Sequence, residues 1–105
     1  MNREFIQYEQ ALALKELGFD EPCLMYYDYS WRLVESGVYK YKAPLYQQAF
    51  RWFREKHNVF SSVNVNYCYK IYNNDELFEE SNEHNNYEEA ELACLKKLIE
   101  IVKVK

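Results

Sequence analysis

Apolar and polar positions alternate with two different periods along the chain, and each change of period marks a new element. The clearest helical pattern runs over 87–103, YEEAELACLKKLIEIVK. There Leu92, Leu95, Leu98, Ile99 and Val102 share one side with Cys94 and Ile101 at its edge, while Glu89, Lys96, Glu100 and Lys103 share the other. This arc is wider than the ~100° stripe a surface helix needs, so the helix is expected to have two neighbours. Asn86 followed by Glu89 has the form of a capping box, and Lys96, Lys97 and Lys103 lie toward the end where the helix dipole favours cations.

A first helix is predicted over 4–17 from Ile6, Ala13, Leu14 and Leu17, with Gly18 as a left-handed cap and Phe19 folded back on the last turn. Phe5, Tyr8 and Leu12 point elsewhere, so this helix either meets a second surface or has a loosely placed first turn. Over 23–31 the period becomes two, with Met25, Tyr27, Tyr29 and Trp31 on one side, which predicts a strand. Residues 38–41 read as its antiparallel return after a turn at Ser36 and Gly37, and 31–35 fits strand or loop.

Pro44 suits the first position of a second helix running to about His57 and ended by Asn58. Its apolar face is Leu45, Tyr46, Ala49, Phe50, Trp52 and Phe53, against Gln47, Gln48, Arg51, Arg54 and Glu55. Residues 60–72 then alternate through Val63, Val65, Tyr67, Tyr69 and Ile71, as one long strand or as a hairpin turning near Asn66. Asn73, Asn74 and Asp75 carry turn chemistry, and Leu77 and Phe78 fit a short edge strand. The expected fold is α+β: about three helices packed on an antiparallel sheet of three to five strands, in a single domain over 1–105.

The blocks APLYQQAFRWFREKHN and YEEAELACLKKLIEIVK, separated by a β region, resemble those of small uncharacterised proteins from gut bacterial genomes and their phages or integrated elements. The resemblance covers about half of the chain. More distantly the chain is similar to small phage domains built as helix, sheet, helix sandwiches. Neither resemblance implies an activity, so no catalytic or ligand residue comes with it.

Charge changes the picture by position. Eight acids and no Lys or Arg fall between Ile71 and Leu95, which leaves the remainder at about +4 against a net charge of −4. Such a segment repels duplex nucleic acid and reads first as a solvated loop and helix start. Three cysteines, Cys23, Cys68 and Cys94, form neither a metal-type pair nor an even framework, and the first ten residues lack the apolar run of a signal peptide. A cytoplasmic protein with reduced thiols is expected, and no stretch reaches the ~18 continuous apolar residues of a membrane span.

Candidate chemistry is sparse. A Cys23 or Cys94 dyad with His57 has no local signature, and Cys94 on an apolar arc reads as a small buried hydrophobe. His57 suits the cation-favouring end of its helix. His84 with Glu79, Glu80 and Glu83 has no compact metal-ligand spacing, and two glycines cannot build a phosphate-cradling loop. No cofactor is implied. Eleven tyrosines in an aromatic share of 18% are the stronger signal. If all three helices cover one sheet face, the other leaves Tyr27, Tyr29 and Trp31 with Tyr39 and Tyr41 partly exposed, as a contact for a protein partner or a second copy. The expected function is therefore a noncatalytic interaction or accessory protein of phage or mobile-element origin. A single-stranded nucleic-acid module is the runner-up and a small enzyme the third choice.

Overall fold

A computed structural model describes residues 5–35, 39–73 and 76–104. The chain is α+β, and its described residues form three helices and two three-stranded antiparallel sheets. It divides into two compact units, Met1–Gln48 and Ala49–Lys105, and the boundary falls inside the second helix. The strands expected in one sheet thus form two, because their ladders close within each unit.

In the first unit, α1 spans Tyr8–Glu16 and ends in a Schellman motif. Phe19 N–H donates to the Leu14 carbonyl at 2.9 Å and Gly18 N–H to that of Lys15 at 3.0 Å. Gly18 takes φ 99°, where a side chain would be strained, and Phe19 is buried as expected. The helix starts later than predicted. Phe5 forms a bridge with Leu45, and Ile6 N–H donates to the Pro44 carbonyl at 3.0 Å, so the apolar residues before Gln7 serve an extended segment. Glu4 lies outside the described residues. Gln10, Ala11 and Leu14 form the buried face.

The strands β1 (Met25–Tyr27), β2 (Leu33–Val34) and β3 (Tyr41–Ala43) form a sheet in the order β2-β1-β3. The strand predicted over 23–31 ends at Tyr27 because the next residue, Asp28, folds a turn with its own carboxylate. The predicted return falls at Tyr41–Ala43, with Tyr27 opposite Tyr41; Ser36, Gly37 and Val38 lie outside the described residues.

Pro44 precedes α2 (Tyr46–His57) by two residues instead of opening it, since its carbonyl is held by Ile6. Most of the predicted faces are observed: Tyr46, Ala49, Trp52 and Phe53 are buried, while Gln47, Arg51, Arg54 and Glu55 are exposed; Phe50 and Gln48 are half-buried at the margins, and Leu45 lies before the helix. Asn58 ends the helix at φ 56°, and His57 lies against Trp52 with ring centroids 4.9 Å apart.

In the second unit, β4 (Val59–Val63), β5 (Tyr69–Asn73) and β6 (Glu76–Glu80) pair in that order. Residues 60–72 are therefore a hairpin, in register from Val59–Asn73 to Val63–Tyr69. Asn74 and Asp75 lie outside the described residues. The edge strand β6 holds Leu77 and Phe78; pairing runs from Ile71–Glu79 to Tyr72–Leu77, so Phe78 is the extra residue of a bulge.

The final helix, α3 (Tyr87–Lys103), packs on β4 and β5. The Asn86 side chain accepts the Glu89 N–H at 2.8 Å, the expected cap. Ala90, Cys94, Leu95 and Leu98 are fully buried, and Leu92, placed on the predicted arc, is half-buried at its margin. Truncating a residue placed like Leu95 to Ala costs about 2–5 kcal/mol.

Candidate functional site

The two hairpins close with the same turn. In the first, Asp28 N–H donates to the Arg32 carbonyl at 3.0 Å, and Trp31 N–H to the Asp28 carbonyl at 3.1 Å. The Asp28 carboxylate accepts the N–H groups of Ser30 at 2.8 Å and Arg32 at 3.0 Å. In the second, Asn64 N–H donates to the Cys68 carbonyl at 2.9 Å, and Tyr67 N–H to the Asn64 carbonyl at 3.0 Å. The Asn64 side chain accepts the N–H groups of Asn66 at 2.9 Å and Cys68 at 3.2 Å. In both, a short polar side chain closes the loop on itself.

The fourth residue of each turn is aromatic and left-handed, Trp31 at φ 66° and Tyr67 at φ 60°. This position usually belongs to Gly or Asn, and a bulky residue there is strained. Neither ring is buried in exchange: Trp31 is 68% exposed and Tyr67 40%. The second residue of each turn is also an exposed apolar one, Tyr29 at 65% and Val65 at 91%.

The five aromatics expected to form one contact face separate. Tyr27 and Tyr41 are cross-strand partners, and Tyr8 of α1 stands edge-on to both, at centroid distances of 5.6 and 5.4 Å. Tyr41 is buried and belongs to the core of its unit. Tyr27 is half-buried, its hydroxyl donating to the Ile6 carbonyl at 2.7 Å, and burial raises its pKa. Trp31 rests one side on Tyr8 at 5.3 Å. Tyr39 stacks on Tyr26, the neighbour of Tyr27, at 4.2 Å, because the alternation that would put it beside Tyr41 breaks at Lys40, before β3 begins. Tyr29, Trp31 and Tyr39 remain exposed.

Charges of both signs surround this tip. The Arg32 backbone N–H, with smaller help from that of Ser30, holds the Asp28 carboxyl below its usual range. Lys40 Nζ lies 5.8 Å from the Tyr29 ring centroid and 5.2 Å from that of Tyr41; Tyr41 first, then Tyr8, hold its ammonium above the ordinary value.

The other chemical candidates are taken up structurally. Burial pushes the Cys94 thiol up to about 12 and the Cys23 thiol up to about 11, far from the thiolate a nucleophile needs. Glu79 accepts the Tyr69 hydroxyl at 3.0 Å and pairs with Lys97 at 3.2 Å, Glu80 pairs with Lys70 at 3.7 Å, and His84 Nδ1 lies 3.1 Å from the Tyr67 carbonyl. Among the described residues these groups do not converge on a metal position, and no helix there is long and apolar enough to cross a membrane. Comparison with protein-family models, curated proteins and solved structures finds no match for the chain.

Proposed function

We propose that this chain is a noncatalytic interaction protein, an accessory factor of a phage or mobile element acting in the cytoplasm. On this reading the first hairpin tip binds a second copy of the chain. The observation that carries the reading is Trp31, a bulky residue kept in a strained left-handed backbone and yet left 68% exposed. Strain of this kind persists where surrounding structure imposes it and is concentrated at functional positions. Tyr29 and Tyr39 extend the exposed surface, and tyrosine and tryptophan supply contact area at low entropic cost. A two-fold contact sets a patch against itself, so charges within it are favourable only where both signs are present. Asp28, Arg32 and Lys40 supply both signs at this tip.

Sedimentation of the parent and of a Tyr29→Ser, Trp31→Gly variant tests this. Glycine suits the left-handed backbone, so the variant keeps the turn while losing the ring. The expected result is a dimeric parent and a monomeric, folded variant. A parent that stays monomeric at high concentration sinks the reading.

A second reading draws on the Lys40 ammonium above the exposed Tyr29 ring, a cation beside a stacking surface for an unpaired base. Fluorescence titration with single-stranded DNA at two salt concentrations decides it. Binding that weakens with salt and is lost in Tyr29→Ser is expected, and no binding at low salt overturns it.

A further inference from the structure

The first unit contains a cleft of about 210 Å³ between the C-terminal turn of α1 and the approach to β3, lined by Ala11, Lys15, Phe19, Tyr39, Lys40 and Lys42, with Asp20 at its edge. Its chemistry is lopsided. Three lysines and one carboxylate line it, and that carboxylate is engaged: Lys42 Nζ donates to Asp20 Oδ1 at 3.0 Å and to the Asp20 carbonyl at 3.2 Å. Lys15 and Lys40 have no carboxylate partner among the described residues. Each instead lies 5.2 Å from the centroid of the Tyr41 ring. Their charges are therefore no more than twice that distance apart, about the range over which salt screens them. Tyr41 thus holds both ammonium groups, with hydrogen bonds from Lys40 to the Tyr41 and Tyr8 hydroxyls, and these neutral partners neutralise neither charge. Apolar wall is supplied by Ala11 and Phe19, which are buried, and by the Tyr39 ring, which is 44% exposed.

We infer that this cleft binds a small organic anion, its phosphate or carboxylate group held between Lys15 and Lys40 and its apolar body against Phe19 and Tyr39. The cleft is below the ~300–1,000 Å³ of sites for drug-sized ligands, which limits the occupant to about one ring and its charged group. The cleft shares Tyr39 and Lys40 with the hairpin-tip surface but not Lys15, Phe19 or Lys42, and anion binding is read by titration whereas self-association is read by sedimentation, so either can fail without the other.

Amide-resolved NMR titration of the intact chain tests it with four probes: phenyl phosphate, phenylacetate, inorganic phosphate and benzylammonium. The first two anions separate phosphate from carboxylate recognition, and benzylammonium carries a similar body with the opposite charge. Saturable shifts at Lys15, Gly18, Tyr39 and Lys40 are expected with phenyl phosphate or phenylacetate, weaker ones with inorganic phosphate, and none with benzylammonium. Lys15→Gln, Lys40→Gln should weaken binding about tenfold or more, whereas Lys96→Gln, Lys103→Gln should leave it unchanged. Asp20→Asn, at a side chain 93% exposed, keeps the acceptors for Lys42 while removing the negative charge from the cleft and should tighten binding. The inference is overturned if neither organic anion gives saturable shifts, if benzylammonium binds as well as they do, or if Asp20→Asn weakens binding.

Discussion

Trp31 and Tyr67 occupy the same position, with nearly the same left-handed backbone, in two separate copies of one hairpin turn. Each turn is closed by the side chain of the residue three positions earlier, Asp28 in one and Asn64 in the other. The strain at both aromatics is set by the turn and not by burial. For an L-residue that conformation costs about 1–2 kcal/mol, against about 0.5–1 kcal/mol of extra chain entropy lost by glycine on folding.

Tyr67→Gly should therefore be neutral or stabilising by up to about 1 kcal/mol, although it deletes an aromatic ring. A denaturant midpoint clearly below that of the parent would show that the Tyr67 ring carries packing energy in the fold.

The pairing of Asp28 with Asn64 gives a second expectation. Asp28→Asn preserves the acceptor that closes the turn, as its counterpart shows, and should be tolerated. Asp28→Ala leaves the N–H groups of Ser30 and Arg32 without it and should lower the melting temperature. Because the folded carboxyl is held below its ordinary pKa, the stability it contributes is present above the unfolded value and is lost as pH falls through the folded one. Melting curves between neutral and acid pH should show a smaller acid loss for Asp28→Asn than for the parent.

Features that depend on local periodicity were legible in the sequence, and those set by distant partners were not. The faces of α2 and α3, the Gly18 and Asn58 caps and the Asn86 box each depend on residues within about one or two turns. The start of α1 depends on Leu45 and Pro44, some forty positions away, so Phe5 and Ile6 resemble helix while serving an extended pairing. Tyr29 and Trp31 continue the alternation of β1, yet Asp28 takes the chain out of the sheet; the shared pattern of Asp28 with Ser30 and Asn64 with Asn66 was the available signal. Tyr41 has the same spacing as an exposed residue but is buried beside Tyr8 of another element. The lysine cleft joins Lys15 to Lys40 and Lys42 across more than twenty positions and leaves no local pattern.

The cysteines should differ sharply in reactivity. Cys94 is fully buried, and burial outweighs a smaller opposing pull from Ser61 in raising its thiol to about 12. Cys68 is half-buried at the second hairpin turn, where its Sγ lies 3.7 Å from the Asn66 carbonyl. Native protein treated with a thiol reagent near neutral pH and mapped by mass spectrometry should carry label at Cys68 first, and at Cys94 only after denaturant is added. Early labelling of Cys94 would contradict its place under β4 and β5.

Tyr69 supplies the last test. It is nearly buried, and its hydroxyl donates to Glu79, which also holds Lys97. Burial first, then the hydrogen bond and charge of Glu79, push the Tyr69 phenol from 10.0 up to about 12. The folded state thus keeps this proton after the unfolded chain has lost it. Stability from this source is whole below about pH 10 and is lost as pH rises toward about 12. Tyr27 and Tyr87 are raised by burial as well, so the parent alone cannot isolate the effect. Denaturant midpoints for the parent and Tyr69→Phe at a series of alkaline pH values can. The variant should be the less stable of the two at neutral pH, where the hydrogen bond to Glu79 is missing, and the gap should close as pH climbs through that window. A gap that stays constant would mean that Tyr69 ionises no later in the folded chain than in the unfolded one.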